Sequence, residues 1–161
     1  MVGRSSVNPW EDEPSVQYLK GDISAPGVLE IAITDVKEIY HLAAAMEGDW
    51  SVHKSVTVDA LSRLLTLFSQ QGGGRFVLVS SIMVYDTSLM GNDQIVNENH
   101  PISYDLSDVG NYSRAKIESE KIAQGYLSDS NVSLSIARPG IIYGPGMKNP
   151  LNGTASKVKG R

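Results

Sequence analysis

Short apolar blocks and amphipathic stripes alternate along this chain. The run VQYL stops at Gly21 and Asp22 and is followed by SAPGVLEIAI, in which Ser24 can cap and Pro26 suits a first helical turn. This predicts a strand and then a helix. EIYHLAAA, residues 38–45, is the next strand-like run. From Val52 to Gln71 the apolar residues Val56, Ala60, Leu64, Leu65 and Phe68 fall on one helix face, and glycines at 72–74 end that helix. RFVLVSS reads as a parallel strand buried on both faces, stopping at Ser80 and Ser81. A loop of roughly twenty-five residues follows, a length that in compact domains marks functional or mobile segments. GNYSRAKIESEK then opens a helix with a mostly apolar stripe of Tyr112, Ala115, Ser119, Ile122 and Tyr126. VSLSIARPGIIYGPG closes the series as a strand running into a turn punctuated by glycine and proline.

Strand and helix in strict alternation predict an α/β fold, a partial doubly wound parallel sheet, because parallel neighbours need crossover connections. In such sheets ligands gather at the carboxyl ends of the strands. Asp22, the run Ala43 to Ala45, the pair Ser80 and Ser81, and the pair Pro139 and Gly140 all stand at strand ends. The helix bearing Tyr112 and Lys116 follows the loop after VLVSS, which brings it toward the same rim. Residues 1–147 are expected to form one nucleotide-binding unit, with 148–161 as a polar tail.

Composition narrows the partners. With 161 residues, 41% hydrophobic and 20% charged, the chain is large enough for one buried core. A net charge of -4 and the absence of a long Lys/Arg run argue against nucleic acid and anionic membranes. There is no cysteine for a disulfide or thiolate site, and no apolar run spans a bilayer. The opening MVGRSSVNPWEDEP lacks the basic start and apolar core of a signal peptide, so a cytoplasmic setting is the default. His41, His53 and His100 are scattered over different elements, so no metal site is expected.

The candidate chemistry lies in the helix. Tyr112 precedes Lys116 by four residues, and Glu120 lies four further on. Neighbours at that spacing meet on any helix surface, so the trio taken by itself reads first as a solvated face with a Lys116–Glu120 pair and only second as a proton-transfer device.

YHLAA, VLVSSIMVY, YSRAK and ARPGIIYGPG, in this order, resemble the extended short-chain dehydrogenases/reductases, the NAD-dependent epimerase/dehydratase group that includes nucleotide-sugar epimerases and dehydratases. The resemblance runs from about Val16 to Met147. It implies a Rossmann-like fold binding NAD or NADP, and a small-molecule substrate of the nucleotide-sugar class, with a homodimer as a further expectation. Ser81, Tyr112 and Lys116 match the catalytic positions. The resemblance implies that Tyr112 exchanges a proton with a substrate hydroxyl or carbonyl and that Lys116 also holds the nicotinamide ribose. Ser81 would hydrogen-bond the substrate oxygen, while Ser80 supports the strand end. Asp22 and Ile23 match the adenine contacts, Leu42, Ala43 and Ala44 the segment beside pyrophosphate and ribose, and Pro139 and Gly140 the turn beside the nicotinamide amide. Arg4 suits a 2′-phosphate if it ends the second strand.

Several positions depart from the pattern. Asp59 replaces the family's asparagine in VDALS, which puts that cofactor contact in doubt, and Asp86 stands where glycine is usual. Ile82 and Met83 occupy the places of the dehydratases' acid and base, which disfavours a sugar 4,6-dehydratase. No GxxGxxG follows a first strand, so the chain reads as the middle of a longer enzyme, with the first strand of the sheet missing and the inner edge of the YHLAA strand unpaired. A direct pairing of VQYL with EIYHL is one way to close that gap. Three functions stay open: an epimerase or oxidoreductase, a carbonyl reductase on a non-sugar substrate, and an inactive fragment or scaffold with residual nucleotide binding.

Overall fold

The computed structural model describes residues 1–89, 95–103, 105–107, 109–126, 131–142 and 144. The polar segment 148–161 and much of the YGPG turn lie outside the described residues.

Two parallel sheets carry the fold. Strands β1 (Val2–Gly3) and β2 (Leu19–Lys20) pair in the register Val2 opposite Leu19. Strands β3 (Glu38–His41), β4 (Gly74–Val79) and β5 (Val132–Ala137) form the second sheet in that order, with Glu38 opposite Arg75 and Gly74 opposite Val132. Helix α1 (Val28–Ala32) connects the sheets. A helical run joins β3 to β4: α2 (Trp50–His53), a π-helical segment Lys54–Asp59, and α3 (Ala60–Gln70). Helix α4 (Asn111–Gly125) joins β4 to β5. The β3–β4 and β4–β5 crossovers thus carry the helices expected of parallel pairing, whereas the parallel β1–β2 connection, residues 4–18, is made of turns.

Met1 and Val2 face Ile39, Tyr40 and His41 across an apolar cleft of about 540 Å³. The spatial order is therefore β2, β1, cleft, β3, β4, β5. Among the described residues no strand pairs with the β3 edge that borders this cleft. The direct pairing of VQYL with EIYHL does not occur: β2 pairs with β1, and it is the β1 end that borders the cleft beside β3.

The core forms where α3 lies on β4. Leu61, Leu65 and Phe68 are fully buried against Phe76 and Leu78, with Leu29, Ile33, Ala123 and Val132 closing the cluster. Helix α3 can do this because its apolar residues recur at one face. The far side of the sheet is open: Tyr40 is 62% and Leu42 66% exposed. Strand β4 therefore buries Phe76 and Leu78 fully but Val77 and Val79 only in part, which corrects the expectation of burial on both faces.

Local boundaries also differ from those the sequence predicts. Asp49 caps α2 by accepting from Val52 N at 3.1 Å, so the helical run begins at Trp50, before Val52. Ser24 caps nothing: its amide and hydroxyl both bond Asp22 Oδ1, at 2.8 and 2.7 Å, and α1 starts only after Gly27 at φ 82°. At the α3–β4 junction Gly73 N reaches back to Phe68 O at 2.9 Å. Gly74 has φ 144°, and a side chain there would strike the Lys37 carbonyl, so only glycine admits β4 beside β3 at this point.

Candidate functional site

Two clefts open along the carboxyl ends of the strands. The first, about 440 Å³, is lined by Leu42, Ala43 and Ala44 after β3, Ser80 and Ser81 after β4, Tyr112 and Lys116 on α4, and Pro139 and Gly140 after β5. The second, about 500 Å³, is lined by Arg4 after β1, Asp22 and Ile23 after β2, and again Ala43 and Ala44. The shared alanines and Met46 make the two one trough. Ten residues singled out from the sequence, Asp22, Ile23, Leu42, Ala43, Ala44, Ser81, Tyr112, Lys116, Pro139 and Gly140, line it. Asp59 does not. It sits on the exposed side of the π-helical segment and binds Lys54 Nζ at 2.6 Å.

Lys116 settles the ambiguity of the YSRAK helix. It is only 3% exposed, and its Nζ donates to Val79 O at 2.8 Å while lying 5.8 Å from the centre of the Tyr112 ring. Burial pushes its pKa down, and the Glu120 carboxylate opposes that shift. Glu120 is itself 1% exposed and turned away, gripping Arg138 through two hydrogen bonds of 2.9 and 2.7 Å. The solvated-face reading of this helix is thereby excluded. An ammonium has three donors, so Lys116 keeps two beyond Val79 O for a ligand.

The serines complete this end. Ser81 accepts from Met83 N at 3.2 Å, which leaves its own proton free to donate. Ser80 donates its amide to Ala137 O at 2.7 Å, supporting the strand end as expected, yet its buried hydroxyl has no partner among the described residues. A buried hydroxyl without a partner is costly unless a ligand or water satisfies it. Small side chains at Ala43 and Ala44, spare donors at Lys116 and Ser81, and the orphan at Ser80 fit a polar, elongated ligand such as a nicotinamide dinucleotide.

At the β1–β2 end of the trough Asp22 is held below the usual carboxylate range by its bonds to Ser24, with Arg4 adding to the effect. The segment leading out of β3 is fixed by Thr57, whose hydroxyl accepts from Ala45 N at 2.9 Å. Thr57 belongs to the π-helical segment, a type of irregularity that frequently marks functional sites. Sequence reasoning missed Thr57 because a period of 3.6 does not register a π insertion. It also missed the Glu120–Arg138 pair, although the clue was present in an acid one turn after Lys116 and a basic residue directly before Pro139.

His41 ends β3 with its Nε2 buried and without a partner among the described residues. Burial, reinforced by the Lys116 charge, lowers its pKa from 6.5 to about 4. The folded state thus holds a neutral imidazole where the unfolded chain binds a proton, so stability falls as pH drops from about 6.5 to about 4. At 1.36 kcal/mol per pKa unit the loss is about 3 kcal/mol. Urea unfolding at pH 7 and pH 4.5 should show most of this loss, and His41→Asn should flatten it.

A third cavity, about 850 Å³, lies on the far side of Arg138, lined among others by Ile82, Met83, Tyr85, Asn97 and Ser103. Here Arg138 donates to the Tyr85 hydroxyl at 3.2 Å, and Tyr85 meets His100 edge to face. Among the described residues no group of three metal-ligating side chains assembles, and no helix is long and apolar enough to cross a membrane.

The family whose model matches this chain is the NAD dependent epimerase/dehydratase family, over residues 2–159. UDP-glucose 4-epimerase of Vibrio cholerae is 28% identical over 136 residues, covering 80% of this chain and 40% of that protein. A 3-beta-hydroxysteroid dehydrogenase of Mycolicibacterium neoaurum is 26% identical over 148 residues, covering 86% of this chain and 39% of that protein. The chain thus spans about 40% of the length of these curated relatives. Among solved structures, the dTDP-glucose 4,6-dehydratase DesIV of Streptomyces venezuelae, crystallised with NAD, superposes with a TM-score of 0.68 at 26% identity, covering 81% of this chain and 40% of that one. The Rossmann-like arrangement of strands and the trough at their carboxyl ends agree with the family match, and this chain belongs to the NAD dependent epimerase/dehydratase family.

Proposed function

We propose that this chain forms the dinucleotide-binding and proton-transfer part of an epimerase or oxidoreductase acting on a hydroxyl or carbonyl of a nucleotide sugar. The observation that carries the reading is the convergence of Ser81, Tyr112, Lys116 and Gly140 on one cleft, continuous with the cleft of Asp22 and Ile23. Asp22 and Ile23 would hold the adenine, Ala43 and Ala44 would admit the phosphates and ribose, and Pro139 and Gly140 would border the nicotinamide. The bound NAD or NADP supplies the hydride acceptor. Tyr112 exchanges the proton. The Lys116 ammonium lies 5.8 Å from the centre of its ring in the same cleft. Ser81 donates to the substrate oxygen, holding it toward Tyr112 while the proton moves.

Ile82 and Met83, at the positions of the dehydratases' acid and base, offer neither to the 850 Å³ cavity they line, which favours epimerisation or simple oxidoreduction over dehydration. The steroid dehydrogenase among the relatives keeps a non-sugar carbonyl substrate as the second reading. An inactive fragment or scaffold with residual nucleotide binding is the third. Fluorescence titration of the protein with a reduced nicotinamide dinucleotide tests the binding on which the enzyme readings depend, and turnover separates them from the scaffold. Saturable binding that weakens in Lys116→Ala is expected; no binding would overturn the proposal. Protection of that complex by a uridine diphosphate sugar, and not by a steroid, would separate the first two.

A further inference from the structure

The floor shared by the two clefts hangs on one buried hydroxyl. Ala43 and Ala44 line both cavities, and the next residue, Ala45, donates its amide to Thr57 Oγ1 at 2.9 Å. Thr57 is 3% and Ala45 8% exposed, so water does not compete for this bond. The same residue also faces α4. Its carbonyl accepts from Ser119 Oγ at 3.5 Å, a long contact between two buried residues, and Ser119 stands three positions after Lys116. Two further contacts join the chain that follows Ala45 to the start of α4: Asn111 Nδ2 donates to Gly48 O at 3.4 Å, and the Arg114 guanidinium lies 3.7 Å from the centre of the Trp50 ring. The first is exposed and the second half-buried, so the Thr57 contacts are the buried part of this seam.

The π-helical register lets one helical run serve both sheet and trough. Ala60 N reaches back five residues to Ser55 O instead of four, and one inserted residue rotates the preceding turn by about 100° relative to α3. Helix α3 keeps Leu61, Leu65 and Phe68 on the sheet while Val56 lines the trough and Thr57 meets Ala45. We propose that Thr57 is the positioning residue that sets the Ala43–Ala45 floor of the trough against α4. One buried hydroxyl then aligns the dinucleotide-binding segment with Tyr112 and Lys116. Thr57 lines neither cleft and acts through Ala45 and Ser119. The assignment rests on the dinucleotide reading above and adds the residue that keeps its two halves in register.

Two variants separate the hydroxyl from the bulk: Thr57→Val keeps the shape and removes the acceptor, and Thr57→Ser keeps the acceptor. Each is titrated with a reduced nicotinamide dinucleotide under conditions where urea unfolding shows it folded, and the Ala45 amide is followed by hydrogen exchange without ligand. In Thr57→Val the Ala45 amide should exchange faster, and dinucleotide affinity should fall about tenfold, the worth of one buried hydrogen bond. Thr57→Ser should restore both. A residue that served stability alone would lower the urea midpoint and leave the affinity of the folded protein unchanged. Parent-like affinity in Thr57→Val therefore overturns the assignment, as does weakened binding in Thr57→Ser. Absence of saturable binding to the parent would instead bring down the dinucleotide reading, and the positioning role with it.

Discussion

Tyr112→Phe should cut steady-state turnover by about a hundredfold to ten-thousandfold, the range for a lost general acid or base. In barrier height this is about 3 to 5 kcal/mol. Dinucleotide affinity should stay nearly unchanged, because the ring remains and only the hydroxyl is lost. The asymmetry would follow from the proposed roles: Lys116, seated on Val79 O, would offer its remaining donors to the cofactor, whereas the substitution at Tyr112 removes only the hydroxyl that would carry the proton and keeps the ring beside the cofactor. Lys116→Ala should therefore depress binding and turnover together. A Tyr112→Phe protein with full turnover would remove the proton-transfer role.

The second large effect is on stability. Glu120→Ala should destabilise the fold by about 3 to 5 kcal/mol, since it leaves the Arg138 guanidinium, only 15% exposed, without its carboxylate. A domain's whole margin is about 5 to 15 kcal/mol, so the loss is severe. Arg138→Ala should cost a similar amount by stranding Glu120. Replacing both, as in Glu120→Leu with Arg138→Met, should recover most of the loss, because a buried pair offsets its own desolvation only in part. Urea denaturation of the four proteins gives the comparison. A Glu120→Ala protein as stable as the parent would show that the pair is not an anchor. The pair matters to the site because Glu120 lies one turn after Lys116 and Arg138 directly precedes Pro139. It ties α4 to the end of β5, and through Tyr85 to the loop after Ser81.

The parts of this architecture that were legible in the sequence are those set by chain order. A strand's end is marked where its apolar run meets Gly, Ser or Pro, and parallel topology then brings all such ends to one rim. Asp22, Ala43, Ser81 and Gly140 could be gathered in this way without coordinates. What stayed hidden depends on neighbours distant in sequence. Lys116 is spaced identically for a solvated pair and a buried cation; only its seat on Val79 O distinguishes them. Glu120 looked like its partner, yet its true partner is Arg138, 18 positions away on another element. Asp59 aligns in sequence with a cofactor contact, but it stands at the end of the π-helical segment Lys54–Asp59, exposed and paired with Lys54. Ser24 resembled a cap because helix starts favour serine, whereas the Asp22 carboxylate two residues earlier captured it.

The central claim is that the two clefts joined at Ala43 and Ala44 are one dinucleotide site. Amide chemical-shift mapping of the protein during titration with a reduced nicotinamide dinucleotide tests it directly. Asp22 and Ile23 at one end, Ala43 and Ala44 in the middle, and Ser81 and Gly140 at the other end should all shift along a single saturation curve. Shifts confined to one end, or two ends that saturate at different ligand concentrations, would contradict the claim.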